Sequence, residues 1–384
     1  MRMRRAQIIL MVGLCAALLP LGCKKRDKTG GGAAASASPA KAYHWVAQYR
    51  PKGSFGAGSY GALYSFGAIS VLSPSVVYAA GNYPDPKDKA GRIPVVAKTT
   101  DGGASWAELT LPEEAHKVSR LNAIKFTSPS TGWAAGGDDN NDGFILRTTD
   151  GGATWSVSSL PIKLVPTSIY SDGAQFWIGG AAAKPGEDED SDDGPSDILV
   201  SSDQGTNWSP QYHLPCSVFD LNFVDSQTGW AAGNPAALYH TTDGGRTWDS
   251  QQTGLSAPIG VRAKIETAIS GVSFCDPLHG WIAGGSDSPI VGVVESTTDG
   301  GNTWSLLWKP DGENIHDILF LNQSEGWVVS SNGLYVYHSA DAGRTWQVEP
   351  VTADQQPSLN RLGAADPAHV WAVGGGGIFY REAQ

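Results

Sequence analysis

Six aspartates recur along the chain at intervals of 40 to 56 residues, each inside the same eight-residue phrase. They are Asp101, Asp150, Asp203, Asp243, Asp299 and Asp341. Paired carboxylates could carry out the acid–base chemistry of a glycoside hydrolase. This spacing, however, places every aspartate on a separate repeat and at the same turn, so the six cannot converge as a catalytic pair. We therefore interpret them as structural residues.

Two further acidic segments lie in loops between predicted strands. Asp138, Asn140 and Asp142 fall in a D-x-N-x-D-G pattern, the first half of a calcium-binding loop, but Thr149 stands where the closing Glu belongs. We expect a solvated polar turn there, with calcium as the alternative. A second run contains Glu187, Asp188, Glu189 and Asp190. Because like charges repel, we expect this run to be exposed, with attraction of a basic partner as the alternative.

Motifs of common enzyme classes are missing from the sequence. It contains no H-E-x-x-H, G-x-S-x-G, C-x-x-C or phosphate-binding P-loop pattern, and its eight histidines show no metal-ligand spacing. We therefore expect no catalytic residues and no cofactor, apart from the weak calcium candidate Asp138, Asn140 and Asp142.

The aspartate phrase must be positioned by a repeated unit of short strands. With 48 Gly and 14 Trp in 384 residues, the composition favours many strands joined by tight turns. Each phrase ends in a tryptophan that should begin an outer strand, and a Gly-Trp-Ala-Ala-Gly-like phrase precedes most copies. A period of 40 to 56 residues corresponds to one four-stranded propeller blade. The six phrase tryptophans are Trp106, Trp155, Trp208, Trp248, Trp304 and Trp346.

The phrase, for example TTDGGRTW at 241–248, resembles the Asp-box, or bacterial neuraminidase repeat. Six copies with the Gly-Trp step between them resemble the photosystem II stability and assembly factor family of β-propellers. The resemblance covers about residues 60–384 and implies an all-β fold. We predict a seven-bladed β-propeller of four-stranded antiparallel blades, closed by pairing of an N-terminal strand at 43–50 with the C-terminal blade. Closure of this kind would remove an exposed sheet edge.

Asp-boxes also occur in sialidases, which makes a glycan-hydrolysing propeller the main enzyme alternative. The segment Arg92-Ile93-Pro94 resembles the Arg-Ile-Pro signature of that family, but it lies just before Asp101, on a predicted third strand. In sialidases the signature belongs to the first inner strand, and three arginines must grip a carboxylate. We therefore predict that the chain is not an enzyme, and a glycan-binding or glycan-hydrolysing surface protein remains the alternative.

The N-terminus resembles a bacterial lipoprotein signal. Three arginines and an apolar run precede Leu19-Pro20-Leu21-Gly22-Cys23, which is similar to a lipobox in which Cys23 becomes lipidated. We predict a signal peptide at 1–22, a lipid-anchored tether at 23–42 and the propeller at 43–384. Lys24 follows the cysteine, which by the enterobacterial sorting rule favours the outer membrane of the cell envelope.

The remaining cysteines and the net charge complete the sequence prediction. Cys216 and Cys275 should be free, buried thiols because the repeat alignment holds them too far apart for a disulfide. A formal charge of −11 makes nucleic acid an unsuitable partner. We expect a monomeric scaffold that binds a protein client. The loops after the second strands, including the two acidic segments, should share one face opposite the aspartate turns and form the binding face.

Overall fold

A computed structural model describes residues 42–50, 65–85, 91–181, 194–255, 267–287, 289–310, 312–330, 335–352 and 357–383. The chain divides into two units, Met1–Ala40 and Lys41–Gln384, and every described strand lies in the second unit. One 3₁₀ helix, Glu113–Lys117, is the exception to an otherwise all-β architecture in this part of the chain.

The strands fall into an N-terminal strand, six groups of four that we call blades I to VI, and a terminal group of three. The N-terminal strand is β1 (Tyr43–Tyr49). Blade I contains β2 (Ser65–Val71), β3 (Val77–Pro84), β4 (Arg92–Thr99) and β5 (Ala107–Glu108). Blade II contains β6 (Arg120–Phe126), β7 (Gly132–Gly137), β8 (Gly143–Thr148) and β9 (Ser156–Ser159). Blade III contains β10 (Val165–Ser171), β11 (Phe176–Ala181), β12 (Ser196–Ser201) and β13 (Ser209–Leu214).

The second half of the chain repeats this order. Blade IV contains β14 (Ser217–Phe223), β15 (Gly229–Asn234), β16 (Ala237–Thr241) and β17 (Asp249–Ser250). Blade V contains β18 (Ala268–Phe274), β19 (Gly280–Asp287), β20 (Ile290–Thr297) and β21 (Ser305–Trp308). Blade VI contains β22 (Ile315–Phe320), β23 (Gly326–Ser330), β24 (Tyr335–Ser339) and β25 (Gln347–Thr352). The terminal group contains β26 (Ser358–Asp366), β27 (His369–Gly375) and β28 (Gly377–Ala383).

Blades II to V are separate antiparallel sheets, whereas the other twelve strands form one continuous sheet. In that sheet β1 runs antiparallel to β28, with Tyr43 opposite Ala383, and parallel to β25, with Trp45 opposite Val351. The N-terminal strand therefore takes the fourth position beside the terminal group. The strand pairing between blade I and this group consists of one residue pair, Ser65 with Gly375.

Stacked aromatic rings join neighbouring blades. The aromatic residue of a second strand lies against the phenylalanine that ends the inner strand of the next blade, where "inner" denotes the first strand of each group. Trp230 and Phe274, for example, stack with ring centroids 3.4 Å apart. Equivalent stacked pairs are Tyr78–Phe126, Trp177–Phe223 and Trp281–Phe320. Such pairs add about 0.5–1.5 kcal/mol beyond the burial of their area.

Glycines on the second strands allow this packing. A Cβ on Gly229 would lie 2.3 Å from the Phe223 ring, and a Cβ on Gly233 would lie 1.8 Å from the Ser217 carbonyl oxygen. Neither distance is compatible with a side chain. The two glycines of the Gly-Trp-Ala-Ala-Gly phrase are thus required because one lies beneath a ring and the other against the inner strand.

Candidate functional site

Every inner strand carries a β-bulge at the same position. The register of its pairing with the second strand shifts there in all seven groups. One residue of each inner strand therefore has no partner on the second strand, and the bulge changes the direction of its side chain. The seven bulged residues form what we call the bulge ring: Gly67, Asn122, Thr167, Phe219, Ser270, His316 and Asn360. All seven line one cavity of about 310 Å³, together with Asn82 and Arg361.

Side chains of the bulge ring donate hydrogen bonds to the backbone of the next group. Asn122 Nδ2 lies 3.3 Å from the Pro166 carbonyl oxygen, and Asn360 Nδ2 lies 3.1 Å from that of Phe66. The Thr167 hydroxyl and His316 Nδ1 make equivalent bonds to Val218 and Leu359. Because carbonyl oxygens only accept, both asparagine amides must point their nitrogens along the ring.

Arg361 serves the part of the ring where Phe219 offers no polar side chain. Its guanidinium donates to the carbonyl oxygens of Phe219, at 2.9 Å, and of Ser270 and His316, at 3.2 and 3.3 Å. One arginine on β26 therefore holds the bulges of blades IV, V and VI. Among the described residues that line the cavity, it is the one arginine.

Two carboxylates, one residue beyond the bulges of blades IV and VI, line a second cavity, which shares Asn122, Thr167 and Arg361 with the first. Asp220 accepts the Val272 amide, and Asp317 accepts the Leu362 amide at 2.7 Å and lies 3.7 Å from Arg361. Burial raises the pKa of Asp317 to about 7, while Arg361 opposes the rise and Asp220 adds to it. Burial likewise raises the pKa of Asp220. Both carboxylates are thus tied to the backbone of a neighbouring group, which suits a structural role.

The sequence analysis did not identify Arg361, Asp220 or Asp317 as a group. A signal was nevertheless present, because aligned inner strands place these three charged residues in a column whose other members are Ala68, Ala123, Ser168 and Gly271.

The six box aspartates each close their own turn. In the first box, Asp101 Oδ1 accepts the Ser105 amide and the Thr99 hydroxyl, and Oδ2 accepts the Ser105 hydroxyl. The hydrogen bonds from Ser105, supported by Thr99, lower the pKa of Asp101 to about 2. The same hydrogen bonds hold Asp150, Asp203, Asp243, Asp299 and Asp341, except that the Asn207 side-chain amide takes the place of the hydroxyl donor to Asp203 Oδ2.

The boxes also join neighbouring groups. In each box, the carbonyl of the residue after the aspartate accepts a hydrogen bond of 2.9–3.2 Å from the preceding group. The acceptors are Gly102, Gly151, Gln204, Gly244, Gly300 and Ala342, and the donors are respectively Gln48, Lys98, Arg147, Trp177 with Gln211, Gln251 and Trp281. The boxes therefore connect neighbouring groups through hydrogen bonds.

The box tryptophans complete the aromatic packing. Trp155, Trp248, Trp304 and Trp346 meet the phenylalanine of their own inner strand edge to face, at 5.9–6.1 Å. Trp106 lies 6.2 Å from Tyr49 of β1, and Trp208 packs against the cluster around Trp133 and Phe176. All six serve packing.

The predicted calcium turn is held by its own hydrogen bonds. Asp138 Oδ1 accepts the amides of Asn140 and Asp142 at 2.9 Å, and Asp142 forms an exposed ion pair with Lys163. Within the described ranges, no group of three or more His, Cys, Asp or Glu side chains could hold a metal ion. Calcium binding at Asp138, Asn140 and Asp142 stays a prediction. The acidic run Glu187–Asp190 lies outside the described residues, as does Cys23.

The two remaining cysteines are free. Cys216 is buried as expected, and burial raises its thiol pKa to about 12. The prediction that Cys275 is buried was wrong, because this thiol is partly exposed beside the turn that contains Asp276.

The fold and this site define an Asp-box β-propeller, with blades of four antiparallel strands joined by boxes and by a ring of bulged residues. The chain belongs to the family described as photosynthesis system II assembly factor YCF48, whose model matches residues 90–175, 201–307 and 257–349. It is a family of assembly factors and not of enzymes.

Sequence and structure comparisons agree with this assignment. The photosystem II assembly lipoprotein Ycf48 of Synechococcus sp. (strain CC9902) is 28% identical over 188 residues, or 47% of this chain and 50% of that protein. The chain spans about half the length of the curated relatives it matches. The structure of YCF48 bound to D1 peptide has a TM-score of 0.61 at 16% identity and covers 91% of this chain and 99% of that chain.

A xyloglucanase of family GH74 from Xanthomonas campestris shares the fold alone. Its TM-score is 0.60 at 15% identity, over 88% of this chain and 53% of that chain. No helix among the described residues is long and apolar enough to cross a membrane.

Proposed function

We propose that the chain is a lipid-anchored, non-catalytic assembly scaffold that binds a segment of a protein client. The observation that carries the binding proposal is the bulge ring, where seven inner strands converge on one cavity of about 310 Å³. The relative bound to D1 peptide supports a protein segment as the occupant.

The proposal includes a seven-bladed ring in which β1 supplies the fourth strand of the terminal group. Two observations support it: the antiparallel pairing of β1 with β28, and the hydrogen bond from Asn360 to the Phe66 carbonyl, which links the terminal group to blade I. A rigid ring would hold the cavity in one shape and so present a preformed surface to the client.

Lipid attachment at Cys23 and a cell-envelope location are part of the proposal. They rest on the lipobox-like sequence and on the naming of the curated relatives as lipoproteins. The signal peptide at 1–22, the tether at 23–42 and the outer-membrane assignment from Lys24 stay predictions, as does the monomeric state.

The geometry of the cavity gives little support to the glycan alternative. Sialidase chemistry requires three arginines around a carboxylate. Arg361 is the one arginine that lines the described cavity, and its guanidinium already donates to three backbone carbonyl groups. Arg92 begins β4, the third strand of blade I, and does not lie on an inner strand.

The experiment compares two tryptophan substitutions on the chain used as bait for detergent-solubilised membranes. Asn82 lines the cavity, so Asn82→Trp should fill part of it, whereas Asn302, on the exposed turn of a box, provides the control Asn302→Trp. Proteins retained by each variant are identified by mass spectrometry, and overlapping peptides of any retained protein are then tested for binding by fluorescence anisotropy.

We expect at least one peptide that binds the unsubstituted chain and Asn302→Trp but binds Asn82→Trp at least tenfold more weakly. Thermal melts establish that both variants are folded. Equal binding by the two variants would overturn the assignment of the cavity. Recovery of glycan without protein would favour the carbohydrate alternative.

A further inference from the structure

One position of the bulge ring, Gly67, carries no side chain. Four other members of the ring donate to the carbonyl oxygen of the residue before the next bulge, as Asn122 does to Pro166. By the same rule Gly67 should serve Leu121, which precedes Asn122, but a glycine has no side-chain donor. We call the space that a side chain of Gly67 would occupy the notch.

Oxygen atoms face the notch. A Cβ on Gly67 would lie 3.3 Å from the Leu121 carbonyl oxygen and 3.8 Å from Oδ1 of Asn122. The nitrogen of the Asn122 amide is held by the Pro166 carbonyl, so the oxygen is the group that this amide presents to the notch. Among the described residues, no side chain donates to either oxygen. Both can therefore accept hydrogen bonds from a ligand.

The Asn360 amide lies on the other side of Gly67. Its nitrogen is 3.1 Å from the Phe66 carbonyl oxygen and 3.3 Å from Oγ of Ser65, which leaves its oxygen to accept. Asn82, the strand partner of Ser65, lines the same part of the cavity. No hydrogen bond within the described ranges fixes the Asn82 amide, so it can turn its oxygen toward a donor. The notch is thus bordered mainly by acceptors.

Arg361 lines the same cavity but serves another part of the ring. Its guanidinium donates to carbonyl groups of blades IV, V and VI, whereas the notch lies in blade I. It also lies 3.7 Å from Asp317, and Asp220 lines the second cavity with both. One guanidinium is thus placed among two carboxylates, and the formal charge of the whole chain is −11. The protein therefore attracts a positively charged ligand more than a negatively charged one.

We infer that the notch binds a primary ammonium group of the client segment, from a lysine side chain or a free N-terminus. This inference rests on the proposed function and deepens it, because it names the chemical group that the cavity takes. An ammonium group has three donors and no acceptor, which matches a border of oxygen atoms. A carboxylate only accepts, so it would be repelled by the Leu121 and Asn122 oxygens.

The test uses short capped peptides as probes, titrated at pH 7 and followed by saturation-transfer NMR. Acetyl-Gly-Lys-Gly-amide offers a side-chain ammonium, and Gly-Gly-Gly-amide offers an N-terminal one. Their controls carry the same amine acetylated, which removes the charge and two donors. The two amine probes distinguish the two sources of the ammonium group.

Two asparagine substitutions locate the binding. Gly67→Asn supplies the amide that other bulges use, and it should fold because Gly67 has no positive φ and its Cβ needs only a small shift of the Leu121 carbonyl. Gly67→Ala adds the Cβ alone. Gly312→Asn is the control, since Gly312 is exposed, no atom lies within 4 Å of its Cβ position, and asparagine tolerates its φ of 71°. Thermal melts establish that the variants are folded.

We expect at least one amine probe to bind about tenfold more tightly than its acetylated control, because only the amine offers three donors. Gly67→Asn should remove this preference, Gly67→Ala should reduce it, and Gly312→Asn should keep it. Equal binding of amine and acetylated probes would overturn the inference, as would a preference that survives in Gly67→Asn.

Failure of the proposed function gives a different result. If an amine probe binds at the notch but no protein is retained in a way that depends on Asn82, the client is wrong and the notch stands. If a client peptide binds the cavity equally well after all its amines are acetylated, the ammonium assignment is wrong and the client stands.

Discussion

The guanidinium of Arg381, on the last strand, forms a buried ion pair with Glu349 of blade VI, with Nε 2.9 Å from Oε2 and Nη2 donating to Oε1. Trp45 of β1 donates to the same Oε2 at 2.9 Å. The terminal group has no Asp-box, so it offers no box carbonyl to accept a hydrogen bond from blade VI. The ion pair occupies the junction that a box serves elsewhere, and it joins β1, β25 and β28.

Loss of one partner in this ion pair should destabilise the folded protein strongly. Arg381→Met leaves the Glu349 carboxylate buried without its cation, which we expect to lower the free energy of unfolding by about 3 kcal/mol. The double variant Arg381→Met/Glu349→Leu should recover part of that loss, because no charge is then left buried. Urea unfolding of the variants measures both effects, and a double variant less stable than Arg381→Met would contradict the proposed origin of the loss.

Removal of a box carboxylate should destabilise its turn. Asp243 accepts the Thr247 amide and hydroxyl and the Thr241 hydroxyl. We expect Asp243→Ala to lower the free energy of unfolding by about 1–2 kcal/mol, since these donors lose their acceptor. Asp249→Ala, on the exposed outer strand of the same blade, is the control and should change stability by less than about 0.5 kcal/mol. Similar effects of the two variants in thermal melts would show that the turn is not built as described.

Adjacent glycines of β27 provide a matched test of close packing. A Cβ at Gly374 would lie 1.9 Å from the Ser358 carbonyl oxygen, whereas at Gly375 the nearest atom is 3.7 Å away. We expect Gly374→Ala to cost about 3 kcal/mol through displacement of the inner strand, and Gly375→Ala to be nearly neutral. Denaturant unfolding distinguishes the two, and tolerance of Gly374→Ala would refute the proposed reason for the repeated glycine.

The carboxyl of Asp317 should make stability depend on pH. Its pKa is about 7 in the folded protein, against 3.8 for an ordinary aspartate. Between these values only the unfolded chain ionises, so this group contributes stability that is present below about pH 4 and lost as the pH rises to about 7. Asp317→Asn keeps an acceptor for the Leu362 amide. In this variant the melting temperature should depend less on pH between pH 4.5 and 7.5.

The control for this titration is Asp249→Asn, which replaces an exposed carboxyl on β17. We expect it to keep the slope of the unsubstituted protein. A slope that survives unchanged in Asp317→Asn would exclude this carboxyl as its source and would favour Asp220 and Glu295, whose pKa values burial also raises.

The repeated local units were predictable because their chemistry is contained within a few residues. The bonds of Asp101 go to Thr99 and Ser105, at most four positions away, so the box phrase carries its own turn. The glycine before Trp230 and the one three residues after it follow from the same periodic packing. Four-stranded antiparallel blades could therefore be inferred from the phrases and their spacing.

The bulge ring and the ion pair could not be predicted in this way. Arg361 meets Phe219 from 142 positions away, and Trp45 meets Glu349 from 304 positions away. No local pattern encodes such partners, because each depends on how whole blades are arranged and on a one-residue shift of register in every inner strand. Sequence by itself determined the strands, the boxes and their structural role. Which polar side chains converge on one cavity was decided by the tertiary structure, since the packing of blades against one another sets the distances between residues remote in the chain.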